Sequence, residues 1–417
     1  MILADLKRRM ASDPRWVIVA ALLLYALILL LPARTEGLRE SWWRLNVPAF
    51  SPTFLDIRIV LGGFESQRMG FDPLIENPGD PLERPMNYPR LWLLLASTGL
   101  GPRHAVPVGL VLAAAFLTCA LLMARPRTYT EAVIYSVFYC SPAFMLAIER
   151  ANIDLVIFSL LAIAVLVPRS KTWVASVPLV AAAAALKLYP IVAIALFLRE
   201  RQRTFLVIAA GLGVGFLGYL AWIVDDVGII RATTEREVYY SYGTRVVFSG
   251  VDQWRELAGK PGLTSQALTW LPVICGAVVF SLATIAGRRR SSVEPERAVD
   301  GFRVGASIFV GTYFLGNNWD YRMIFLALTL PQLLAWARGG ALRRVSRATL
   351  AAILLSSTSL VFIRLAPEVV FCIEEMVNWA LLSMLVYLLT VTRSDWMFRV
   401  SAPKRSELPR DARPAPG

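Results

Sequence analysis

Histidine and cysteine are scarce in this sequence, which has one histidine, His104, and four cysteines. A single histidine nearly excludes a Ser-His-Asp triad and any His-based metal site. The cysteines have no CxxC spacing and lie in or beside apolar segments, so neither a zinc site nor structural disulfides are expected. No stretch resembles a Walker A loop, a Rossmann fingerprint or an HExxH helix. The sequence therefore carries no signal for a metal centre or a nucleotide cofactor.

Charge is also low, because 18% of the 417 residues are charged whereas 56% are hydrophobic. A soluble chain of this length needs more charge to cover its surface, whereas lipid accepts an apolar exterior. Apolar runs, most of them close to the length of a membrane helix and 190–198 short, recur along the whole chain. They lie at approximately 16–33, 105–124, 130–148, 153–168, 173–187, 190–198, 203–224, 264–287, 302–316, 321–337, 346–366 and 371–392.

These runs predict an all-α polytopic membrane protein of about 11–12 transmembrane helices in a single domain over 1–393. Two regions depart from a simple span. Residues 90–100 are too few to cross a bilayer and are predicted as an interfacial helix in a long first extracytoplasmic loop, 34–104. Residues 173–198, interrupted by Pro190, are predicted as a broken hairpin. A second extracytoplasmic loop is expected at 225–263, and the polar tail 394–417 is expected to be disordered.

The net charge of +13 mainly reflects topology. With the N-terminus placed in the cytoplasm, 26 of the 43 lysines and arginines fall on the cytoplasmic side, but only 10 of the 30 acidic residues. This bias follows the positive-inside rule. It predicts a bacterial cytoplasmic-membrane protein with both termini in the cytoplasm, an uncleaved first helix and no nucleic-acid partner.

Polar side chains interrupt the apolar pattern near several predicted membrane boundaries, all on the outer side of this topology. They are Asp56, Asp72, Asn87-Tyr88, the segment ERANID with Arg150, Asn152 and Asp154, Lys187 with Tyr189, and the segment NNWDYR with Asp320, Tyr321 and Arg322. Charges at helix ends also serve as caps or interfacial anchors, and a loop residue such as Asp56 can simply be exposed. A lone ammonium in an apolar run, however, costs about 2.5–3.5 kcal/mol unless it is paired or hydrated. Convergence of both charge signs on one membrane face therefore favours a site.

The residue types suit group transfer from a lipid phosphate. Arg150, Lys187 and Arg322 could bind an anionic phosphate and stabilise its growing charge as it departs. Asp56 or Asp72 could take the proton of an acceptor hydroxyl as general base. The pattern therefore predicts transfer from a phospholipid carrier at the outer face of the membrane.

The ordered motifs resemble the membrane-embedded glycosyltransferases of the GT-C superfamily, specifically family 87 of the polyprenyl-phosphate-mannose type (the DUF2029 group). The matching motifs, which span roughly residues 50 to 330, are Asp56, Gly70-Phe71-Asp72-Pro73, Asn87-Tyr88-Pro89, Asn152 with Asp154, Lys187 with Tyr189-Pro190, and Asp320-Tyr321-Arg322. Two positions depart from the family pattern, since Leu74 replaces a usual tyrosine and Ile57-Arg58 follows the early aspartate where an aromatic is common.

The resemblance implies inverting, metal-independent and cofactor-free transfer of mannose, or another hexose or pentose, from a polyprenyl-phosphate donor to a hydroxyl of a glycan or glycolipid acceptor. It assigns the base to Asp56 with Asp72 in reserve, and the donor phosphate to Lys187 and Arg322, to which the charge pattern adds Arg150. The remaining motif residues are assigned to substrate binding: Asn87, Tyr88, Asn152, Asp154, Tyr189, Asp320 and Tyr321.

Two other functions fit parts of the pattern. A broken helix with an embedded lysine also suits a transporter or flippase for a lipid-linked or anionic substrate. Long loops would equally serve as partner surfaces of a non-catalytic assembly subunit. The predicted polar residues lie at one face of the membrane rather than at its midplane, which favours the transferase.

Overall fold

The computed structural model describes residues 13–289 and 297–397. Its α-helices are α1 (Arg15–Glu36), α2 (Leu38–Arg44), α3 (Leu55–Arg68), α4 (Ala105–Met123), α5 (Tyr129–Tyr139), α6 (Pro142–Glu149), α7 (Asp154–Leu166), α8 (Val177–Lys187), α9 (Gln202–Trp222), α10 (Val224–Thr233), α11 (Val246–Leu257), α12 (Ser265–Arg288), α13 (Arg297–Phe314), α14 (Leu330–Arg338), α15 (Arg343–Thr358) and α16 (Pro367–Val391). The 3₁₀ segments are Arg90–Thr98, Pro102–His104, Arg169–Lys171, Tyr189–Arg199, Asp320–Leu328, Ser359–Val361 and Asp395–Met397, and Thr172–Ser176 is a π-helical turn. The strands are β1 (Ser241–Tyr242) and β2 (Asn318–Trp319). The predicted all-α polytopic class is confirmed.

Within the described residues, five helices are long and apolar enough to cross a membrane, or seven elements if each of two bent helix pairs forms one span. The five are α1, Pro102–Met123, α9, α12 and α16, and the bent pairs are Tyr129–Tyr139 with Pro142–Glu149 and Asp154–Leu166 with Arg169–Lys187. This number is below the 11–12 predicted from apolar runs. The difference arises because runs such as 190–198, 302–316 and 321–337 fold as short or charge-bearing helices in the interior of the protein.

Capping residues explain where the helices that lead to the polar motifs begin. Thr128 caps α5 by accepting a hydrogen bond from the backbone N–H of Glu131, as N-cap threonines do. Ser141 caps α6 in the same way, and Pro142 occupies its first turn, where a missing N–H costs nothing. The two helices therefore meet at a 50° bend, and α6 ends at Glu149 beside Arg150.

The first long connection folds back over α3. The backbones of Gly62 and Gly79 approach so closely that a Cβ on Gly79 would lie 2.4 Å from the Gly62 carbonyl oxygen. Asn77 donates to the Ile59 carbonyl at 3.2 Å and accepts from Ser66 at 2.8 Å. These contacts hold α3 in place and thereby fix the position of Asp56 in its first turn.

The second long connection pairs with the NNWDYR segment. Antiparallel strands β1 and β2 align Ser241 with Trp319 and Tyr242 with Asn318. The ladder is prolonged by the Asp320 N–H, which donates to the Tyr240 carbonyl at 2.9 Å. The pairing fixes the orientation of the segment that carries Asp320 to Arg322.

The predicted break in 173–198 lies at Leu188, where φ is 52°. Helix α8 ends at Lys187, and the chain continues as the 3₁₀ segment Tyr189–Arg199. Residues 394–397 of the predicted disordered tail are described, and there Ser394 donates to the Leu198 carbonyl and the Trp396 indole donates to the Glu200 carbonyl at 3.2 Å. The disorder of the tail stays a prediction. Residues 398–417 of that tail and the basic stretch Lys7–Arg9 lie outside the described residues. The four cysteines are free thiols.

Candidate active site

Ends of helices bring most of the polar motifs together. Asp56 lies in the first turn of α3, Arg150 follows α6, Asp154 opens α7, Lys187 ends α8 and Arg322 lies in the 3₁₀ segment Asp320–Leu328. Together with Asn152 and Tyr189, these side chains form one continuous set of hydrogen bonds and ion pairs, called here the buried network.

Asp56 is one end of the buried network. Its Oδ2 accepts from Arg150 Nε at 2.9 Å and from Asn152 Nδ2 at 2.5 Å, while its backbone N–H donates to the Arg150 carbonyl. Burial raises the pKa of Asp56, but the charge and hydrogen bond of Arg150 and the hydrogen bond of Asn152 outweigh it, and the net pKa lies below its ordinary value. In the described part of the chain both side-chain hydrogen bonds fall on Oδ2, which leaves Oδ1 for a further proton.

The Arg150 guanidinium is held between two aromatic rings. Its Cζ lies 4.8 Å from the centroid of Phe50 and 4.7 Å from that of Trp319, distances at which a cation interacts favourably with a ring face. Its buried Nη1 has no hydrogen-bond acceptor among the described residues. Arg150 therefore has a fixed orientation and a donor that an added anion could use.

Asp154 is the centre of the buried network. It is fully buried, and its Oδ1 lies 2.7 Å from Lys187 Nζ and accepts from the Tyr189 hydroxyl at 2.6 Å. Oδ2 lies 3.5 Å from Arg322 Nε. Asn152 connects this half of the network to Asp56, because its Oδ1 accepts from Lys187 Nζ at 2.9 Å while its amide nitrogen donates to Asp56.

Tyrosine rings line the cations. Lys187 Nζ lies 5.3 Å from the ring centroid of Tyr88 and 5.8 Å from that of Tyr321, and Arg322 Cζ lies 5.1 Å from that of Tyr189. Arg322 Nη1 donates a hydrogen bond to Asn318 Oδ1. Such rings are apolar enough to exclude water and polar enough to orient a cation.

The charge of the buried network is unbalanced. Three cations, Arg150, Lys187 and Arg322, face two carboxylates, Asp56 and Asp154. An unpaired charge in a buried site is costly unless a counter-ion joins it. The arrangement is therefore suited to bind an anion.

Backbone strain is concentrated beside the same residues. Five non-glycine residues of the described chain have positive φ, and three of them, Phe54, Ala151 and Leu188, lie within two positions of Asp56, Arg150 or Lys187. Each costs of the order of 1–3 kcal/mol, and such residues cluster at functional sites. The packing that tolerates this strain also fixes where the charged side chains point.

Three residues predicted for the site lie apart from the buried network. Asp72 binds Arg90, with both oxygens at 2.8 Å from the guanidinium nitrogens. Asp320 is fully buried, and neither carboxylate oxygen has a hydrogen-bond partner among the described residues. The side-chain oxygen of Asn87 is likewise buried without a partner in this part of the chain.

Several residues in or near the candidate site were not predicted from the sequence. Phe50 and strand β1 (Ser241–Tyr242) carry no charge, and a two-residue strand is too short to show an alternating pattern. Arg90 and its second partner Asp226 are 136 positions apart. An ion pair at such a separation leaves no local signal in a single sequence.

Comparison with known families decides the general identity of the chain. The model of glycosyltransferase family 87 matches residues 90–315, which is more than half of the sequence. The chain belongs to glycosyltransferase family 87. The matched region contains Arg150, Asn152, Asp154, Lys187 and Tyr189, whereas Asp56 and Arg322 lie outside it. No curated protein and no solved structure matches the chain significantly.

Family 87 membership and the apolar helices make this protein a membrane glycosyltransferase. The transporter and assembly-subunit alternatives therefore lose to the transferase. Among the described residues, no three histidine, cysteine, aspartate or glutamate side chains are grouped so that they could hold a metal ion. Metal independence of the reaction stays a prediction.

Proposed function

We propose that this family 87 enzyme transfers a hexose or pentose, mannose in the first instance, from a polyprenyl phosphate to an acceptor hydroxyl of a glycan or glycolipid. The reaction would invert the anomeric centre and take place at the outer face of the bacterial cytoplasmic membrane. The observation that carries the proposal is a buried carboxylate, Asp56, connected through Asn152 to Lys187, whose Nζ lies 2.9 Å from Asn152 Oδ1. The asymmetry of basic residues between the two sides supports the outer location.

Asp56 is the base in this mechanism. The acceptor oxygen attacks the anomeric carbon on the face opposite the phosphate, the bond from carbon to phosphate oxygen breaks, and the acceptor proton moves to Asp56 Oδ1. Because Arg150 keeps the pKa of Asp56 low, the carboxylate is ionised at neutral pH but is a weak base. Proton transfer would then come late, when the attacking oxygen has become acidic.

Lys187, Arg322 and Arg150 would bind the phosphate. Its charge rises as it leaves, and cations already in place stabilise that charge without reorganisation. The buried Nη1 of Arg150 and Nε of Arg322, which have no hydrogen-bond acceptor among the described residues, are available donors. Asp154 holds Lys187 and Arg322 in the absence of substrate.

A pair of conservative substitutions tests the proposal. The purified enzyme is given a polyprenyl-phosphate hexose and a glycolipid acceptor, and Asp56→Asn is compared with Asp72→Asn. We expect Asp56→Asn to lower kcat by about 10²–10⁴-fold, the usual contribution of a general base, while Asp72→Asn keeps kcat within about threefold. The anomeric configuration of the product is read by NMR.

Two further measurements separate loss of chemistry from loss of folding. Asp56→Asn should still unfold cooperatively, at a lower temperature because the buried Arg150 loses its carboxylate partner, and it should still bind sugar-free polyprenyl phosphate. Retained transfer in both variants would overturn the assignment of the base. Retention of the anomeric configuration in the product would overturn the inverting mechanism.

A further inference from the structure

Arg90 joins the two long connections through two carboxylates. Its Nη1 and Nη2 each donate at 2.8 Å to one oxygen of Asp72, and its Nε donates to both oxygens of Asp226 at 2.9 and 3.0 Å. Asp72 belongs to the first connection and Asp226 to α10 in the second. This three-residue set is called here the Arg90 clamp.

The Arg90 clamp is anchored beside Lys187. Two residues after Arg90, the Trp92 indole donates to the Leu186 carbonyl at 3.2 Å. Two residues before it, the ring of Tyr88 faces Lys187 Nζ at 5.3 Å. Arg90 thus lies in the middle of a short segment, 88–92, whose two ends contact neighbouring residues at the end of α8.

Helix α10 is only partly buried, and Ile229 and Ile230 pack against the hydrophobic core. None of its ten residues, all of them described, is fully buried. The preceding Trp222 and the nearby Leu94 expose 73% and 72% of their surface, as expected for side chains next to lipid. The clamp therefore connects two apolar surface elements next to the cation proposed to hold the donor phosphate.

The exposure of the Arg90 clamp argues against a purely stabilising role. The side chains of Arg90 and Asp72 are 37% and 36% exposed, and exposed ion pairs contribute little to stability. Asp226 is the less exposed partner at 13%. A guanidinium with two bidentate carboxylate partners nevertheless fixes direction well.

We propose that Arg90 is a positioning residue, which holds segment 88–92 against α8 and thereby sets the orientation of Lys187 toward the donor phosphate. This inference rests on the proposed function. Because Arg90 acts on binding geometry and not on the reacting atoms, its loss should raise KM for the lipid donor more than it lowers kcat.

Steady-state kinetics of four variants test the inference: Arg90→Met, Asp226→Asn, the double variant Arg90→Met/Asp226→Asn, and Arg103→Met as control. Arg103 is an arginine of the same connection. We expect Arg90→Met to raise donor KM about tenfold with kcat within about threefold, because it removes a positioning contact. The double variant should be no worse than Arg90→Met, since both changes break one interaction. Arg103→Met should behave as wild type.

Hydrogen–deuterium exchange of segment 86–98 in the full-length protein supplies a readout that is independent of transfer. Arg90→Met and Asp226→Asn should speed exchange there, and Arg103→Met should not. Unchanged exchange in Arg90→Met would overturn the clamp. Faster exchange with an unchanged donor KM would overturn the positioning role.

The same experiments separate failure of the two proposals. If wild type transfers no sugar from polyprenyl phosphate, the proposed function fails, while the exchange data still decide whether the clamp exists. If kcat of Arg90→Met falls as far as that of Asp56→Asn, Arg90 belongs to the catalytic set and the positioning role is wrong.

Discussion

Two ionic assemblies in the same protein make opposite use of similar pairs. In the buried network, Asp56 and Arg150 are 7% and 6% exposed, and Asn152 connects Asp56 to Lys187. In the Arg90 clamp, Asp72 and Arg90 are more than a third exposed. Each pair joins an arginine to a carboxylate of the first connection, and the sequence offers either carboxylate, Asp56 or Asp72, as the base.

The difference lies in what each pair would lose if it were broken. A buried charge without its partner is strongly destabilising, so the network must stay complete in the absence of substrate. The exposed clamp can open at small cost because water replaces its contacts. The first arrangement is suited to hold reacting groups, and the second to hold segment 88–92 against α8.

Replacement of Asp154 should produce the largest difference in stability between the two assemblies. Asp154→Asn leaves the buried Lys187 and Arg322 without their shared carboxylate. We expect the free energy of unfolding to fall by about 3–5 kcal/mol, against about 1 kcal/mol or less for Asp72→Asn. Thermal unfolding of both variants in one detergent measures the contrast.

A compensating variant checks that the orphaned cations cause the loss. Asp154→Asn/Lys187→Met removes one of the two cations and should recover part of the unfolding temperature lost by Asp154→Asn alone. Equal unfolding temperatures for Asp154→Asn and Asp72→Asn would contradict the distinction between buried network and exposed clamp.

Much of the buried network could be predicted from sequence, because charges within apolar runs are conspicuous. Arg150, Asn152, Asp154, Lys187 and Arg322 each interrupt an apolar pattern, and the structure brings them together. Their roles in catalysis remain predictions. The fold class was equally accessible from the apolar periodicity.

The rest depended on contacts that a single sequence does not display. Asp56 and Asp72 have similar sequence surroundings, and only the folding of the first connection over α3 separates them. The aromatic rings on both sides of Arg150 come from positions 50 and 319. Apolar runs of interior helices look like those of lipid-facing ones in a sequence, so the number of spans stays a prediction.

The pH dependence of sugar transfer should distinguish Asp56 from Asp72. Arg150 and Asn152 outweigh burial and keep the pKa of Asp56 below its ordinary value, so the base stays ionised as the pH falls from 7 toward 5. Its contribution to stability is likewise present above the unfolded pKa, about 3.9, and is lost only as the pH falls through the lower folded pKa. We therefore expect kcat/KM to show no acid limb from Asp56 above about pH 5.

Replacement of Arg150 should move the acid limb of the kcat/KM profile. In Arg150→Met burial still raises the pKa of Asp56 but its main opposing charge is gone, so the acid limb should move to higher pH. In Arg90→Met the pKa of Asp72, which the Arg90 hydrogen bond lowers most, returns toward its ordinary value without effect on the rate profile. An unchanged acid limb in Arg150→Met, with unfolding temperature confirming that it is folded, would contradict Asp56 as the base.

Ionic strength should give the smallest effect and affects the clamp more than the network. The screening length falls from about 10 Å at 0.1 M salt to about 3 Å at 1 M, and exposed pairs are weakened more than buried ones. In 1 M NaCl the donor KM of wild type should therefore move toward that of Arg90→Met. The ratio of the variant's KM to the wild-type KM should shrink about two- to threefold as salt rises. Each KM is compared with that of the variant at the same salt, so any effect of salt on the donor phosphate itself cancels. Hydrogen–deuterium exchange of segment 86–98 in wild type should become faster at high salt. A ratio of donor KM values that stays constant would mean that the Arg90 clamp is held by packing rather than by charge.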